Sequence, residues 1–241
     1  MPYSRDIATP SRSGKFFVAG IASHHGLAAG MIGRFYDALA ANGDIESVIL
    51  IGPDHFKAGR RAITVCPLPW QVGDIILKNN VHALRLLQRT DCVGTEALPF
   101  RLEHSIGLHA DFLGRYFPGA KITALMIKNT AAQHELGQLV PLLANLMDGK
   151  TLLVLSMDFS HEKTREEARL ADDKSLESIL DFKTESLQGL DIDAPRAAWL
   201  FLEILKNKGV VKGEVLERTD SLEIASGSGS LCTSYASVVF K

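Results

Sequence analysis

The 241 residues are 46% apolar and 22% charged, with a formal net charge of −2. This is enough apolar material for one large α/β domain, and the charge is too small and too mixed for a nucleic-acid surface or an acidic tail. The three cysteines, Cys66, Cys92 and Cys232, are widely spaced with no C-x-x-C pair. That argues against a zinc ribbon or a disulfide scaffold and suits a reducing, cytoplasmic compartment.

Residues 1–14 are rich in Ser, Pro and Arg and lack the apolar core of a secretion signal, so they are expected to form an extended arm before a single domain over 15–241. No apolar run approaches the roughly 20 residues of a membrane span, so no membrane partner is expected. Phe16 to Ala22 is the first continuous apolar run and predicts a buried strand, followed by a histidine-glycine turn and a helix from Ala28 to Asn42. Ser47 to Ile51 is a second such strand, ended by Gly52-Pro53. Arg61 to Cys66 reads as an outer strand. Helices are expected over 78–89 and from His104 to Phe117, where Pro118-Gly119 stops the second. Lys121 to Ile127 predicts a strand, 133–147 a helix, and Thr151 to Met157 the central strand. Helices over 163–181 and 194–208 precede a closing strand pair, Val210 to Ile224 and Leu231 to Phe240, with residues 225–230 as their turn.

Strands that are apolar throughout are covered on both faces, and their alternation with helices predicts an α/β domain with a mainly parallel central sheet flanked by helices. The closing pair is expected to be antiparallel. In such sheets ligands bind beyond the carboxyl ends of the strands. Three apolar runs end in histidine-bearing segments: Ser23-His24-His25-Gly26, Gly52-Pro53-Asp54-His55 and Asp158-Phe159-Ser160-His161. Glu103-His104-Ser105 opens a helix that faces the same crevice in this arrangement. Neutral imidazole suits zinc, copper, iron and nickel, and it is the usual general base near neutral pH.

Bland readings stand beside these. A lone loop histidine is most often a polar turn residue, Asp158 also suits a helix N-cap, and Glu103 a first-turn acid. His82 and His134 fall in predicted helices and read as surface residues. His104 and His109 are five apart and do not form a chelating pair on one helix face. The glycine set Gly26, Gly30, Gly33 is not the dinucleotide fingerprint, and no serine lies in a G-x-S-x-G elbow. Cys232 reads as a packed thiol.

The ordered set His24-x-Gly26, Gly52-Pro53-Asp54-His55, Glu103-His104-Ser105-Ile106-x-x-His109 and Ser156-x-Asp158-Phe159-Ser160-His161, with Ser234-Tyr235-Ala236 near the end, resembles the Memo family, including the AmmeMemoRadiSam system protein B. The resemblance runs from about residue 16 to 240. It implies a fold similar to class III extradiol dioxygenases, which open catechol rings with a non-haem iron. It further implies that His24 and His55 are metal ligands and that Asp158 and His161 line the same pocket, with His161 in the general-base position. His104, at the start of its helix, is expected to be a second polar contact for substrate. For the third ligand, the resemblance directs attention to the closing strand pair, where Glu223 is the choice; its ordinary alternative is a solvent-facing strand residue. The implied cofactor is a divalent metal, iron or copper preferred and zinc possible, with no organic cofactor. The implied function is a metal-dependent oxidoreductase acting on a small molecule. The alternative is a non-catalytic module that binds a small molecule or peptide in a vestigial pocket. A homodimer is the default assembly.

Overall fold

The computed structural model describes residues 16–227 and 229–241, and the expected arm over 1–14 lies outside them. In chain order the elements are β1 (Ala19–Ala22), α1 (Ala29–Ala40), β2 (Ser47–Pro53), β3 (Ile63–Val65), β4 (Trp70–Val72), β5 (Ile75–Leu77), α2 (Val81–Leu87), β6 (Val93–Thr95), α3 (His104–Tyr116) and β7 (Lys121–Ile127). Then come α4 (Gln133–Leu146), β8 (Thr151–Ser156), α5 (Arg165–Leu180), α6 (Pro195–Asn207), β9 (Gly213–Asp220), α7 (Ser221–Ala225) and β10 (Ser234–Phe240). Short 3-10 turns lie at Gly26–Ala28, Leu98–Arg101 and Leu187–Gly189.

The main sheet has the order β6-β3-β7-β2-β8-β1-β10-β9. Its centre, β7-β2-β8-β1, is parallel throughout, and β10 and β9 close one side antiparallel, as expected. Alternate residues of the central strands feed two separate cores. Val48 and Leu50 of β2, with Leu152 and Val154 of β8, pack against α1 and α3 through Ile32, Phe35, Ile106 and Leu113. Ile49, Ile51, Leu153 and Leu155 face the other way, onto Leu139 and Leu143 of α4 and Phe201 and Leu205 of α6. Continuous apolar strands are thus the signature of a sheet sandwiched between helical layers.

Local chemistry sets the helix starts. Thr164 and Glu167 form a reciprocal capping box at α5, the Asn80 side chain caps α2, and Pro195 occupies the first turn of α6, where its missing N–H costs nothing.

The structure corrects the sequence expectation in three places. The first strand is shorter, because Phe16 is exposed and pairing with β10 is regular only from Ala19. The antiparallel hairpin of β4 and β5 and the short β6 were not expected, since three-residue strands carry no usable periodicity. The expected strand through Ile224 ends at Asp220, whose carboxylate accepts a hydrogen bond from the Glu223 N–H at 2.8 Å and starts α7.

Candidate metal centre

The spatial order β2-β8-β1 places three carboxyl ends side by side. The segments after them carry His55, Asp158 and His24. The close approach of α3 to this edge depends on Gly52, where a Cβ would lie 2.9 Å from Ile106 Cδ1 and 3.1 Å from Ser105 Oγ. That contact brings His104, the first residue of α3, over the strand ends.

The three imidazoles meet. The rings of His24 and His55 lie 5.0 Å apart, those of His24 and His104 5.2 Å, and those of His55 and His104 stack at 4.7 Å. One nitrogen from each of these histidines falls within 4.8 Å of the others, and a second such group joins His24, Asp158 and Asp193. Asp193 was not anticipated from the sequence. It precedes α6, and it is locked to the end of β8 by two hydrogen bonds: Asp158 N–H donates to its Oδ1 at 3.0 Å, and its own N–H donates to the Asp158 carbonyl at 3.2 Å. Its other oxygen, Oδ2, lies 3.1 Å from His24 Nε2 and 3.3 Å from His55 Nε2.

Both histidines have their second nitrogen committed. The Ser156 hydroxyl donates to the Ser105 carbonyl at 2.7 Å, so at 2.9 Å from His24 Nδ1 it has only lone pairs to offer. His24 therefore carries a proton on Nδ1 and turns Nε2 to the centre. Glu103 does the same for His55: its Oε1 accepts from Nδ1 at 2.8 Å. Glu103 is buried and also caps α3 through the Ser105 N–H, so the bland reading and the functional one hold together. Ligating histidines are commonly oriented by such partners, which also raise their basicity.

The charges follow this geometry. Burial opposes the charging of His55, but its bonds to Asp193 and Glu103 outweigh that and raise its pKa to about 10. Burial likewise opposes charging of His24, and Asp193 and Asp158 together raise its pKa. Burial would raise Glu103, yet the His55 and Ser105 hydrogen bonds bring it down to about 2. Asp193 is held low by the same two histidines against its own burial. His104, desolvated and next to two other imidazoles, is lowered. Two overlapping groups of donors here could hold a metal ion, His24–His55–His104 and His24–Asp158–Asp193, and the Asp193 carboxylate also lies beside His55 Nε2.

The remaining expected residues fall as follows. Asp158 is buried; its Oδ1 accepts from the His24 N–H at 3.0 Å, and its Oδ2 lies 3.6 Å from His24 Nε2. His161 is half exposed, with Nε2 3.9 Å from Asp158 Oδ2, so it borders the site through Asp158. Glu223 joins neither donor group. It is an exposed residue of α7, where its carboxylate accepts from Thr219 Oγ1 at 3.2 Å and pairs with Arg165 at 3.8 Å. The early end of β9 moves it off the strand on which it was expected. Asp193 is the carboxylate that stands beside the two histidines, and the available signal was an acid just before a helix-opening proline, in a connection that ends at the carboxyl edge of the sheet. His25 caps the 3-10 turn at Gly26–Ala28 and stacks on Tyr235, while His82 and His134 are exposed on their helices. His109 is fully buried, 2.9 Å from the Tyr36 hydroxyl.

Comparison with known proteins gives the family and the fold. The family model described as "Memo-like protein" matches residues 12–239. A MEMO1 family protein of Methanopyrus kandleri is 24% identical over 220 residues, covering 86% of this chain and 76% of its own length. One from Pyrobaculum arsenaticum is 23% identical over 239 residues, with coverages of 94% and 84%. One from Aquifex aeolicus is 27% identical over 252 residues; the match covers 95% of this chain and 65% of the relative, just under two-thirds of its length. Among solved structures, an uncharacterized protein from Escherichia coli K12 superposes with a TM-score of 0.56 at 13% identity, covering 91% of this chain and 98% of that one, a likeness of fold. No described helix is long and apolar enough to cross a membrane.

Proposed function

The chain belongs to the Memo-like protein family, and from that premise we propose that it is a metal-dependent oxidoreductase working at the His24–His55–Asp193 centre. One observation carries this reading: the Nε2 atoms of two histidines from separate strands lie 3.1 and 3.3 Å from the same carboxylate oxygen of Asp193. Their Nδ1 atoms are held by Ser156 and Glu103, so the donors are set before any ion arrives. His24, His55 and Asp193 would hold the metal, with His104 beside them. Iron or copper is the preferred ion. When bound, such a metal supplies Lewis-acid polarisation and, for a redox-active ion, electron transfer.

The chain's own residues do the rest. Asp158 fixes the backbone of His24 through Oδ1 and turns Oδ2 toward the His161 ring. His161, open to solvent on one side and with Nε2 3.9 Å from Asp158 Oδ2, would pass a proton between the ligand and solvent. His104 stacks against His55 and presents a neutral imidazole as a polar contact for a small-molecule ligand.

Metal analysis of protein purified without a histidine tag tests the centre. Wild type is expected to carry metal, and His24→Ala, His55→Ala and Asp193→Ala to lose it. Unchanged metal content in both histidine variants rejects those ligands. Metal-dependent oxygen uptake with a catechol panel supports the oxidoreductase. A loaded protein that consumes no oxygen with any of them favours a non-catalytic binding module.

A further inference from the structure

A cavity of about 310 Å³ opens beside His55 and Asp193, and its wall includes Lys57, Lys128 and Asn129. We propose that this cavity is the substrate subsite of the centre and that Lys57 and Lys128 select an organic anion, a carboxylate or a phosphate ester. The inference rests on the proposed metal-dependent function for the position of the reacting group, and on the cavity itself for the class of ligand.

The loop that follows β2 is wound by Asp54. Its Oδ1 accepts from the Ala58 N–H at 2.9 Å, its Oδ2 from the Gly59 N–H at 3.0 Å, and its carbonyl from the Lys57 N–H at 3.2 Å. This winding holds Lys57 at a φ of +52°, a left-handed conformation that long side chains seldom adopt. Glycine would occupy the position without strain. A strained residue at the edge of a reactive centre is a pointer to function, and here the residue is a cation on the cavity wall.

The second cation is held by different means. The Lys128 ammonium donates to the Gly59 carbonyl, a neutral acceptor that positions the charge without cancelling it. Among the described residues neither lysine is paired with a carboxylate. The nearby acids are already engaged: Asp54 by backbone N–H groups, and Asp193 by two imidazoles. Asn129 Nδ2 donates to the Asp193 carbonyl at 2.8 Å, which ties the Lys128 segment to the backbone of the carboxylate at the centre. The Lys128 ammonium is therefore held beside the donors, and Lys57 lines the same space, whose size suits one ring or a short chain. The exposed Phe56, edge-on to His104 at 6.4 Å, offers an apolar surface at the same edge. An apolar body with one compact negative group matches both features.

Calorimetric titration of the purified protein with benzoate, phenyl phosphate and benzyl alcohol tests this, with metal content measured on the same samples. Benzoate or phenyl phosphate is expected to bind about tenfold more tightly than benzyl alcohol. The tighter of the two identifies the anion as carboxylate or phosphate. Lys57→Gln and Lys128→Gln should each weaken the anion and leave benzyl alcohol and metal content unchanged. Lys57→Gly removes the charge while relieving the backbone, so a loss of anion affinity in that variant is not a folding defect. Anions that bind no better than benzyl alcohol, or a preference that survives in the Lys57→Gln/Lys128→Gln double variant, overturn the inference. Lysine-dependent anion binding in a protein that takes up no metal keeps it while refuting the metal reading. A metal-loaded protein without anion preference refutes it alone.

Discussion

Glu103 and His55 are joined twice: one carboxylate oxygen accepts from the ring Nδ1 at 2.8 Å and the other from the backbone N–H of the same residue at 2.9 Å. The side chain that starts α3 therefore also sets the angle of a proposed metal ligand in the segment after β2. Glu103→Gln keeps the size and one acceptor but removes the charge. Metal affinity is expected to fall about 10- to 100-fold, read by competition with a chromophoric chelator. Glu103→Ala should add about 1 kcal/mol of lost stability from the missing helix cap, read from urea unfolding.

Protons and metal compete for His55. With a folded pKa of about 10, the ring is charged at neutral pH in the metal-free protein. Metal binding must then release a proton, and affinity should rise with pH up to about 10, by at most about tenfold per unit for each proton displaced. Titrations in buffers of different ionisation enthalpy count the protons. Because the folded pKa is raised above the ordinary 6.5, this residue stabilises the metal-free fold fully below 6.5 and loses that contribution as pH rises to about 10. Metal-free protein should therefore gain more thermal stability from added metal at pH 9 than at pH 6.

His109 works in the opposite direction. Burial drives its pKa down from 6.5 to about 3, so the folded protein holds it neutral while the unfolded chain protonates it near 6.5. Stability is present above 6.5 and falls as pH drops toward 3, by at most about 1.4 kcal/mol per pH unit from this one group. In His109→Gln the urea midpoint should change less between pH 7 and pH 5 than in wild type. An equal change in both proteins would remove His109 as the cause.

Gly52→Ala tests whether helix and sheet must touch for the centre to form. The new methyl would meet Ile106 Cδ1 at 2.9 Å, and Ile106 is fully buried and has little room to yield. A cost of about 1–3 kcal/mol is expected. The start of α3 should shift with it, so metal affinity should fall together with stability. A destabilised variant with native affinity would show that α3 is not what holds His55 and His104 in place.

Much of the layered fold was legible because two-sided burial leaves an unbroken apolar run: β2, β7 and β8 were evident in Ser47–Ile51, Lys121–Ile127 and Thr151–Met157. The short β4, β5 and β6 were not, because three residues fix no period. Glu223 shows how chemistry outran geometry. A carboxylate near the closing strands was a reasonable ligand until Asp220 capped α7 and sent Glu223 to Thr219 and Arg165. Asp193 stayed hidden because Asp-Ile-Asp-Ala-Pro reads locally as nothing more than the lead-in to a helix.

The sequence by itself determined which residues end the buried strands, since apolar runs and the turns that stop them are local properties of the chain. From these followed an α/β sandwich with His24, His55 and Asp158 at its carboxyl edge. Only the tertiary structure decided that β8 lies between β2 and β1, that Gly52 lets His104 close over them, and that Asp193 enters from the start of α6. Strand order and the meeting of distant loops depend on how two cores pack at once, and no short window of sequence encodes that.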